Sequence, residues 1–383
     1  MELDFVRSRF IKHFDGSTGQ IFTSPGRINL IGEHTDYNGG FVFPGAIDKG
    51  VMAEIKPNGS DKVRAYSIDL KDYVEFGLGP DDAPRTTWAK YIYGVCREMI
   101  ARGVEVKGFN TAFSGDIPLG AGMSSSAALE STYAFALNEL FGNGMIDKFE
   151  LAKVGQATEH KYVGVKCGIM DQFISALGKD GHALLIDCRS LHTTPIPVPD
   201  TLSVMIIHSH VQRGLVGSKY NTRRQQCETA AAHFGVKALR DLTLEQFEAG
   251  KTGLDETAAR RARYVIEENR RTLDAAEALR RNDVPALSRL MAESHAGMRD
   301  GFEITHPAVD TLVELVHEII GEQGGVRMTG GGFGGCIVAL LPHHLVEPVK
   351  QHLAANYQAR TGLKEEVFVC TAHEGVSVAK EAV

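Results

Sequence analysis

The stretch SPGRINLIGEHTDYNGG, from Ser24 to Gly40, decides more about the fold of this chain than any other segment. It places an arginine, two carboxylates, an imidazole, an amide and a phenol between glycines and one proline. Buried charges are costly unless they are paired, so a segment that only forms core rarely has this composition. Polar groups that converge on a loop with glycine hinges indicate a binding site for a ligand with many hydroxyl groups.

The overall composition is that of an ordinary globular protein. The chain has 383 residues, of which 43% are hydrophobic and 23% charged, and its formal net charge is -7. This length predicts two or three domains. Because no basic tract stands out, we expect neither nucleic acid nor an anionic membrane as a partner.

The cysteines and the first residues predict the compartment. The six cysteines are irregularly spaced, none forms a CxxC pair, and the N-terminal residues lack the apolar core of a signal peptide. The longest apolar run, residues 336–341, is too short to cross a bilayer. We therefore expect a reduced, cytoplasmic enzyme. Separately, we expect small-molecule substrates and a monomer.

Strand-rich and helix-rich segments follow one another without regular alternation, which predicts an α+β protein rather than a doubly wound sheet. Short β-rich segments fill residues 20–76, whereas long helical patterns fill much of residues 218–320. The stretch TTPIPVP, residues 193–199, favours an extended chain and resembles a linker. We predict a mixed-sheet domain over residues 1–195 and a helix-rich domain with antiparallel strands over residues 196–383.

A second informative stretch, residues 114–128, reads SGDIPLGAGMSSSAA. Glycines let the backbone approach a ligand closely, and the N-terminus of the following helix offers free N–H groups to a phosphate. Ser124, Ser125 or Ser126 could cap that helix, coordinate a Mg²⁺ ion bound to phosphate, or do both. A plain capped helix after a turn explains the pattern about equally well.

Two other glycine patterns do not fit known phosphate motifs. Gly250-Lys251-Thr252 ends like a P-loop, but residue 245 is a glutamate where the leading glycine should stand. The cluster GGGFGG, residues 330–335, matches GxGxxG, but the apolar run after it predicts a strand instead of the required helix. We expect this cluster to form a tight backbone turn that packs against the active centre.

Asp171 and Tyr220 each have two interpretations. Asp171 lies at a predicted helix start, where an acid favours the helix dipole, and this role is the more frequent one. The alternative is a general base next to a fixed arginine. The hydroxyl of Tyr220 could donate to a ligand or lie on a helix surface, and residue chemistry alone favours the surface. The histidines lack metal-ligand spacing, so we expect no zinc site.

Taken together, the stretches at residues 25–40, 118–128 and 325–335 resemble the GHMP small-molecule kinases. The first stretch resembles the galactokinase signature itself, and the similarity extends from about residue 20 to about residue 370. Gly39 stands where the family commonly has an acid, beyond the acids that bind sugar. The resemblance implies a two-domain GHMP fold and phosphorylation of the anomeric hydroxyl of α-D-galactose, with ATP and Mg²⁺.

The resemblance also implies residue roles. By motif match, Asp171 corresponds to the catalytic base and Arg27 to the residue that stabilises the transition state. The sugar-binding positions are Glu33, His34, Thr35, Asp36, Gly168 and Tyr220. The nucleotide phosphate loop comprises Gly120, Ala121, Gly122, Met123, Ser124, Ser125 and Ser126. The magnesium positions are Ser126 and Glu159.

Two alternative functions are compatible with parts of the pattern. A related sugar kinase for N-acetylgalactosamine or arabinose would share the ATP-binding residues and differ in the walls of the sugar pocket. A galactose sensor would bind sugar and ATP without turnover. The intact serine run, with Arg27 and Asp171 present, favours an enzyme over the sensor.

Overall fold

The computed structural model describes residues 1–118, 120–214 and 216–380; Leu119 and Leu215, which fall in motif stretches, and residues 381–383 of the predicted second domain lie outside the described residues. The helices are α1 (Leu3–His13), α2 (Thr87–Ala101), α3 (Ser125–Phe141), α4 (Lys148–Thr158), α5 (Met170–Leu177), α6 (Val216–His233), α7 (Leu244–Gly250), α8 (Glu256–Arg280), α9 (Val284–Ala296), α10 (Pro307–Ile320) and α11 (Val346–Thr361). The strands are β1 (Gln20–Asn29), β2 (Phe41–Val42), β3 (Pro44–Pro57), β4 (Lys62–Ser67), β5 (Asp72–Gly77), β6 (Phe109–Gly115), β7 (His182–Asp187), β8 (Thr193–Pro197), β9 (Leu202–His208), β10 (Gly325–Thr329), β11 (Cys336–Pro342), β12 (Glu366–Cys370) and β13 (Ser377–Val378).

The largest sheet is mixed and has the strand order β13-β1-β3-β6-β4-β5. Its β4–β6 pair is parallel and its other pairs are antiparallel, as the sequence predicted for the first half. The apolar residues of α2 and α3 pack against this sheet in one core. The register of β1 against β3 shifts between Pro25 and Arg27. Such an irregularity changes the direction of nearby side chains, and Arg27 lies directly after it.

A second, antiparallel sheet has the order β10-β11-β9-β12 and packs against helices of the second half. Residues 325–335 form β10 and the turn after it, and β11 is a strand rather than a helix, as predicted. The turn therefore directly follows β10, the edge strand of this sheet. It faces the end of β1 from the other half, because the backbone N–H of Asn29 donates to Thr329 Oγ1 at 2.8 Å.

The proline-rich stretch is extended, as predicted, but it is not a free linker. Thr193–Pro197 pairs with β7 in the small sheet β2-β7-β8. It lies at the edge of that sheet, a position that tolerates proline because one side of the strand needs no partner. The end of the chain also returns to the first sheet, where Ser377–Val378 pairs with β1. The domain division at residues 195 and 196 stays a prediction.

Most helices and strands that the sequence predicts are present with shifted ends. The sequence pattern of residues 149–162 favours a single helix, but the structure has α4 followed by a π-helical turn, Glu159–Val163. The sequence patterns did not predict β9, β13, α7 or α11. In the part of the chain that the structure describes, no helix is both long and apolar enough to cross a membrane.

Candidate functional site

Arg27 and Asp171 form a bidentate ion pair at the centre of the molecule. Arg27 Nε lies 2.6 Å from Asp171 Oδ1, and Arg27 Nη2 lies 3.0 Å from Oδ2. The third guanidinium nitrogen, Nη1, donates to the carbonyl oxygen of Gly122 at 2.8 Å. The side chain of Arg27 is buried, whereas 31% of the Asp171 side chain is exposed. The predicted pairing of these distant residues is confirmed, and the acid side of the pair faces open space.

The hydroxyl of Ser124 donates to Asp171 Oδ2 at 2.5 Å. Ser124 has a left-handed backbone with φ 59°, and its side chain makes no capping bond to α3. Ser124 therefore does not act as the side-chain cap that the sequence allowed. Among the described residues, Asp171 Oδ2 accepts two hydrogen bonds, from Ser124 and Arg27, and Oδ1 accepts one, from Arg27. A carboxylate oxygen can accept two.

Glu33 belongs to the polar loop, which we define as residues 30–40. Its side chain is buried, and Oε1 accepts hydrogen bonds from Arg327 Nη1 at 3.2 Å and from the amide of Gly330 at 2.9 Å. Burial raises the pKa of Glu33, while the nearby cations Arg327 and Arg27 act in the opposite direction. Both bonds go to Oε1, so neither occupies Oε2.

His34 and Thr35 use their polar side-chain atoms inside the protein. His34 Nε2 lies 2.9 Å from the carbonyl oxygen of Gly331 and must donate to it, so Nδ1 accepts from the hydroxyl of Tyr37 at 2.7 Å. Burial lowers the pKa of His34 to about 4, which keeps the ring neutral. The buried Thr35 hydroxyl bonds to the carbonyl oxygens of Phe41 and Gly32. These two residues fix the shape of the polar loop.

Asp36 is held by backbone amides. Its two carboxylate oxygens accept hydrogen bonds from the amides of Tyr37 at 3.0 Å and Met170 at 3.2 Å. A Cβ at Gly168 would lie 1.9 Å from Asp36 Oδ2, so only glycine fits there. Burial raises the pKa of Asp36, and the charge of Asp171 raises it further. Asp36, Gly168 and Asp171 therefore share one small volume.

Tyr220 lies in this site and not on a helix surface. Its ring packs 4.7 Å from that of His34 and 5.6 Å from that of Tyr37, measured between centroids. Burial raises the pKa of Tyr220 well above its usual value, with a smaller contribution from the charge of Asp36. The structure thus favours the ligand-facing interpretation over the one that residue chemistry preferred.

The Gly/Ser loop, which we define as residues 118–126, leads into α3 and includes the first two residues of that helix. Gly120 and Gly122 have left-handed backbones, with φ 73° and 77°, and Ser125 is exposed. Ala121 and Met123 bury their side chains and contribute only backbone to the loop surface. The first amides of a helix have no intrahelical acceptor. The loop therefore presents backbone donors, as a phosphate site requires.

Arg213 lies against the same loop and was missed from the sequence. A Cβ at Gly122 would lie 2.9 Å from Arg213 Nη2, and Nη2 donates to the carbonyl oxygen of Gly332 at 2.8 Å. Its Nε is buried without a hydrogen-bond partner among the described residues. Burial lowers the pKa of Arg213, and Arg27 lowers it further. Two guanidinium groups therefore flank Gly122, but the surrounding HVQRGL sequence resembles no motif that would have indicated this.

Ser126 and Glu159 are neighbours. The Ser126 hydroxyl hydrogen-bonds to the Glu159 carboxylate, which also shares a hydrogen bond with Glu130. Burial raises the pKa of both glutamates. Glu130 Oε1 and Gln172 Oε1 are buried without a hydrogen-bond partner within the described ranges. Glu159 starts the π-helical turn, a feature often found at functional sites.

Hydroxyl and carboxylate oxygens are the ligands that Mg²⁺ prefers, and Mg²⁺ commonly takes only one or two carboxylates plus substrate phosphates. Ser126 and Glu159 therefore fit that ion. No cluster of three or more histidine, cysteine or acidic side chains suited to a metal occurs in the described part of the chain.

The glycine turn, residues 330–335, packs against the polar loop as expected. Gly330 donates to Glu33, and Gly331 accepts from His34. A Cβ at Gly330 would lie 2.7 Å from the carbonyl oxygen of Gly122. The polar loop, the Gly/Ser loop and the glycine turn thus meet around Arg27.

Comparisons with known proteins place this arrangement in a family. Family models match for the galactokinase galactose-binding signature over residues 8–57, the N-terminal domain of GHMP kinases over residues 90–179 and their C-terminal domain over residues 275–359. The galactokinase of Actinobacillus succinogenes is 50% identical over 359 residues, which cover 92% of this chain and 93% of that protein.

Solved structures agree. Lactococcus lactis galactokinase, crystallised with galactose, superposes with a TM-score of 0.94 at 34% identity and covers 98% of this chain and 100% of that one. Methanococcus jannaschii mevalonate kinase superposes with a TM-score of 0.64 at 18% identity over 94% of this chain and 99% of that one, which shows the fold alone. The predicted α+β GHMP architecture is confirmed.

Proposed function

The chain belongs to the galactokinase family of ATP-dependent sugar kinases, and we propose in residue detail how it transfers the γ-phosphoryl group of ATP to the anomeric hydroxyl of α-D-galactose. The observation that carries this proposal is the bidentate Arg27–Asp171 pair. It lies between the polar loop, whose side chains suit a polyhydroxy ligand, and the Gly/Ser loop, whose backbone suits a phosphate. A sugar hydroxyl and a phosphoryl group would therefore meet beside it.

Asp171 acts as the general base in this proposal. Its Oδ1 has room for one more hydrogen bond, and the carboxylate is partly exposed towards the site. A general base contributes roughly 10²- to 10⁴-fold to a rate. Arg27 holds the carboxylate in place and stabilises the negative charge that develops during phosphoryl transfer, a step that depends mainly on positioning and charge.

Asp36, Glu33 and Tyr220 provide the groups that recognise sugar hydroxyls. A site built to hydrogen-bond particular hydroxyls rejects analogues that lack them, because its buried polar groups are then left unpaired. His34 and Thr35 contribute by fixing the loop, since their polar atoms are already bonded within the protein. Gly168 contributes by leaving room for the Asp36 carboxylate.

The nucleotide binds at the Gly/Ser loop through backbone amides from Gly120 to Ser126, with Arg213 adding positive charge beside Gly122. Ser126 and Glu159 would hold Mg²⁺, which when bound neutralises phosphate charge. The uncompensated oxygens of Glu130 and Gln172 beside them support a cation at this place.

We further propose that the enzyme is cytoplasmic, monomeric and independent of nucleic acid and membranes. All six cysteines are free, which suits a reducing compartment. The net charge of -7 disfavours polyanionic partners. Gel filtration with light scattering tests the monomer, which predicts a mass of 41.6 kDa.

A sugar panel with MgATP tests the reaction. ADP release would be measured with galactose, N-acetylgalactosamine and arabinose, and ³¹P NMR would identify the phosphorylated carbon. We expect the highest kcat/KM with galactose and a 1-phosphate product. A preference for another sugar would instead indicate a related sugar kinase, and absence of ADP release with every sugar would indicate a sensor.

A further inference from the structure

A buried ion cluster lies directly behind the polar loop. Arg327, in the middle of β10, is completely buried, and so is Glu268 in α8. Arg327 is within ion-pair distance of Glu33 at 3.2 Å and Glu268 at 3.7 Å, and Arg271 lies 2.8 Å from the far side of Glu268. The two cations balance the two carboxylates. None of the motif stretches predicted this cluster.

Arg327 fixes Glu33 from several directions at once. Its Nη1 donates both to Glu33 Oε1 at 3.2 Å and to the carbonyl oxygen of Asn29 at 2.9 Å, so it joins the side chain to the strand from which the loop starts. Its Nε donates to the hydroxyl of Ser294 at 3.1 Å. A planar guanidinium can serve these directions together, whereas a lysine amine cannot.

Glu268 holds the backbone on the other side of the same loop. Its Oε2 accepts from the amide of Gly32 at 3.3 Å and from the hydroxyl of Ser294 at 2.6 Å. Tyr264, one helical turn earlier, donates to the carbonyl oxygen of Glu33 at 3.0 Å. Glu33 is thus fixed by its side chain and its backbone, entirely by residues of the second half of the chain.

We infer that Arg327 is a positioning residue for sugar recognition, which acts by orienting the carboxylate of Glu33. This inference rests on the proposed function, in which Glu33 contacts the sugar. Two observations support it. Arg327 and the amide of Gly330, at 2.9 Å, both donate to Glu33 Oε1 and so hold the carboxylate from one side. Glu33 Oε2 takes part in neither of these two bonds. A buried ion pair seldom adds net stability over apolar residues of the same size. We therefore explain the Arg327–Glu33 ion pair by the need to orient the Glu33 carboxylate.

The competing explanation is that Arg327 only joins the two halves of the chain. Thermal stability alone does not separate the two roles, because both predict a loss on mutation. The dependence of the rate on galactose concentration separates the two roles, because only a positioning role raises the KM for galactose without raising the KM for ATP.

The experiment compares Arg327→Lys, Ser294→Ala and Glu33→Gln with the wild type. Arg261→Lys is the matched control, because Arg261 is also buried and bonds to a carboxylate and a carbonyl oxygen, those of Glu303 and Gly301. Neither residue makes a hydrogen bond to the polar loop within the described part of the chain. We expect Arg327→Lys to raise the KM for galactose roughly 10- to 100-fold with the KM for ATP within about twofold. Ser294→Ala should raise the KM for galactose roughly two- to tenfold, and Arg261→Lys should leave the KM for galactose unchanged.

A double variant tests whether Arg327 acts through Glu33. In the Glu33→Gln background, Arg327→Lys should no longer raise the KM for galactose. If Arg327→Lys does not fold, the KM and the calorimetric Kd for galactose of Ser294→Ala test the inference instead. An unchanged galactose KM in folded Arg327→Lys and Ser294→Ala, with Glu33→Gln impaired, would overturn the inference and leave the sugar role of Glu33 intact. An unchanged KM in Glu33→Gln would instead overturn that role, and the inference with it.

Discussion

The polar loop and the Gly/Ser loop meet at Arg27, but they differ in how their polar groups are held. In the polar loop, the polar side chains are already bonded inside the protein: both ring nitrogens of His34, the hydroxyl of Thr35 and both oxygens of Asp36 have partners. In the Gly/Ser loop, Ser124 makes no capping bond to α3 and the left-handed Gly120 and Gly122 keep the backbone accessible.

The difference follows from the ligands that each loop suits. A neutral sugar offers only hydroxyl groups, so the protein must hold its acceptors in fixed directions before the sugar arrives. A triphosphate brings its own charge and binds wherever free amides and cations converge. Ser124 belongs to the second loop but bonds to Asp171, so it connects the two.

Removing the general base should lower turnover strongly and change ligand binding at the two loops least. We expect Asp171→Asn to lower kcat roughly 10²- to 10⁴-fold, because an amide cannot accept the anomeric proton. Galactose binding, measured by calorimetry, should persist. Asp187→Asn serves as a control, since Asp187 also forms a bidentate pair with an arginine, Arg240, away from the reacting atoms. Near wild-type kcat in Asp171→Asn would remove Asp171 from the base role.

Filling the space at Gly168 should break the polar loop selectively. In Gly168→Ala the new Cβ would collide with the Asp36 carboxylate. We expect the KM for galactose to rise roughly 10- to 100-fold, because a small displacement of a binding group has a large effect. Gly217→Ala is the control, since a Cβ there would make only an ordinary contact at 3.8 Å. Equal effects on the KM values for galactose and ATP would argue against a role of Asp36 confined to the sugar.

The corresponding change in the Gly/Ser loop should affect ATP instead. Gly122→Ala introduces a Cβ at a left-handed position, 2.9 Å from Arg213. Gly120→Ala would meet the same backbone strain with no contact within 4 Å from the described residues. We expect the KM for ATP to rise roughly tenfold in Gly122→Ala and less in Gly120→Ala. The KM for galactose should stay unchanged in both. Identical effects of the two variants would mean that backbone strain alone matters and Arg213 does not.

The smallest expected effect concerns stability at acidic pH. The pKa of His34 is lowered to about 4 by burial, below its value of about 6.5 in the unfolded chain. The unfolded state therefore binds the proton first, so the contribution of His34 is complete above pH 6.5 and is lost as the pH falls towards 4, by up to about 3 kcal/mol.

Urea unfolding between pH 7 and pH 4 measures this loss. His34→Gln should flatten the decline of the unfolding free energy, whereas replacing the exposed His344 with glutamine should not. An equally steep decline in His34→Gln would mean that the neutral ring does not fix the polar loop.

The sequence was most informative where residue type and local pattern determine structure. The strand–loop–helix order around residues 114–141 and the turn at residues 330–335 followed from glycine positions and apolar runs. The stretch at residues 193–199 was harder, because its prolines give the same extended backbone in a linker and in an edge strand. Helix α11 was missed: its apolar residues Val349, Leu353 and Tyr357 lie on one face, but its other residues are mostly polar.

The contacts of the site depended on the fold and not on spacing. Arg27 and Asp171 were paired only through the family resemblance, although each residue was recognisable alone. Arg213 lies in no motif stretch, and Arg327 lies in the stretch at residues 325–335 without being singled out there. The importance of both comes from neighbours in distant segments. Ser124 looked like a helix cap, and only its left-handed backbone turns the hydroxyl towards Asp171.

A crystal structure with galactose and a non-hydrolysable ATP analogue tests the central proposal most directly. We predict that the anomeric oxygen lies within hydrogen-bond distance of Asp171 Oδ1 and close to Arg27, with the terminal phosphate at the Gly/Ser loop. A sugar bound with its anomeric oxygen turned away from Asp171, or phosphates bound away from residues 120–126, would contradict the proposal.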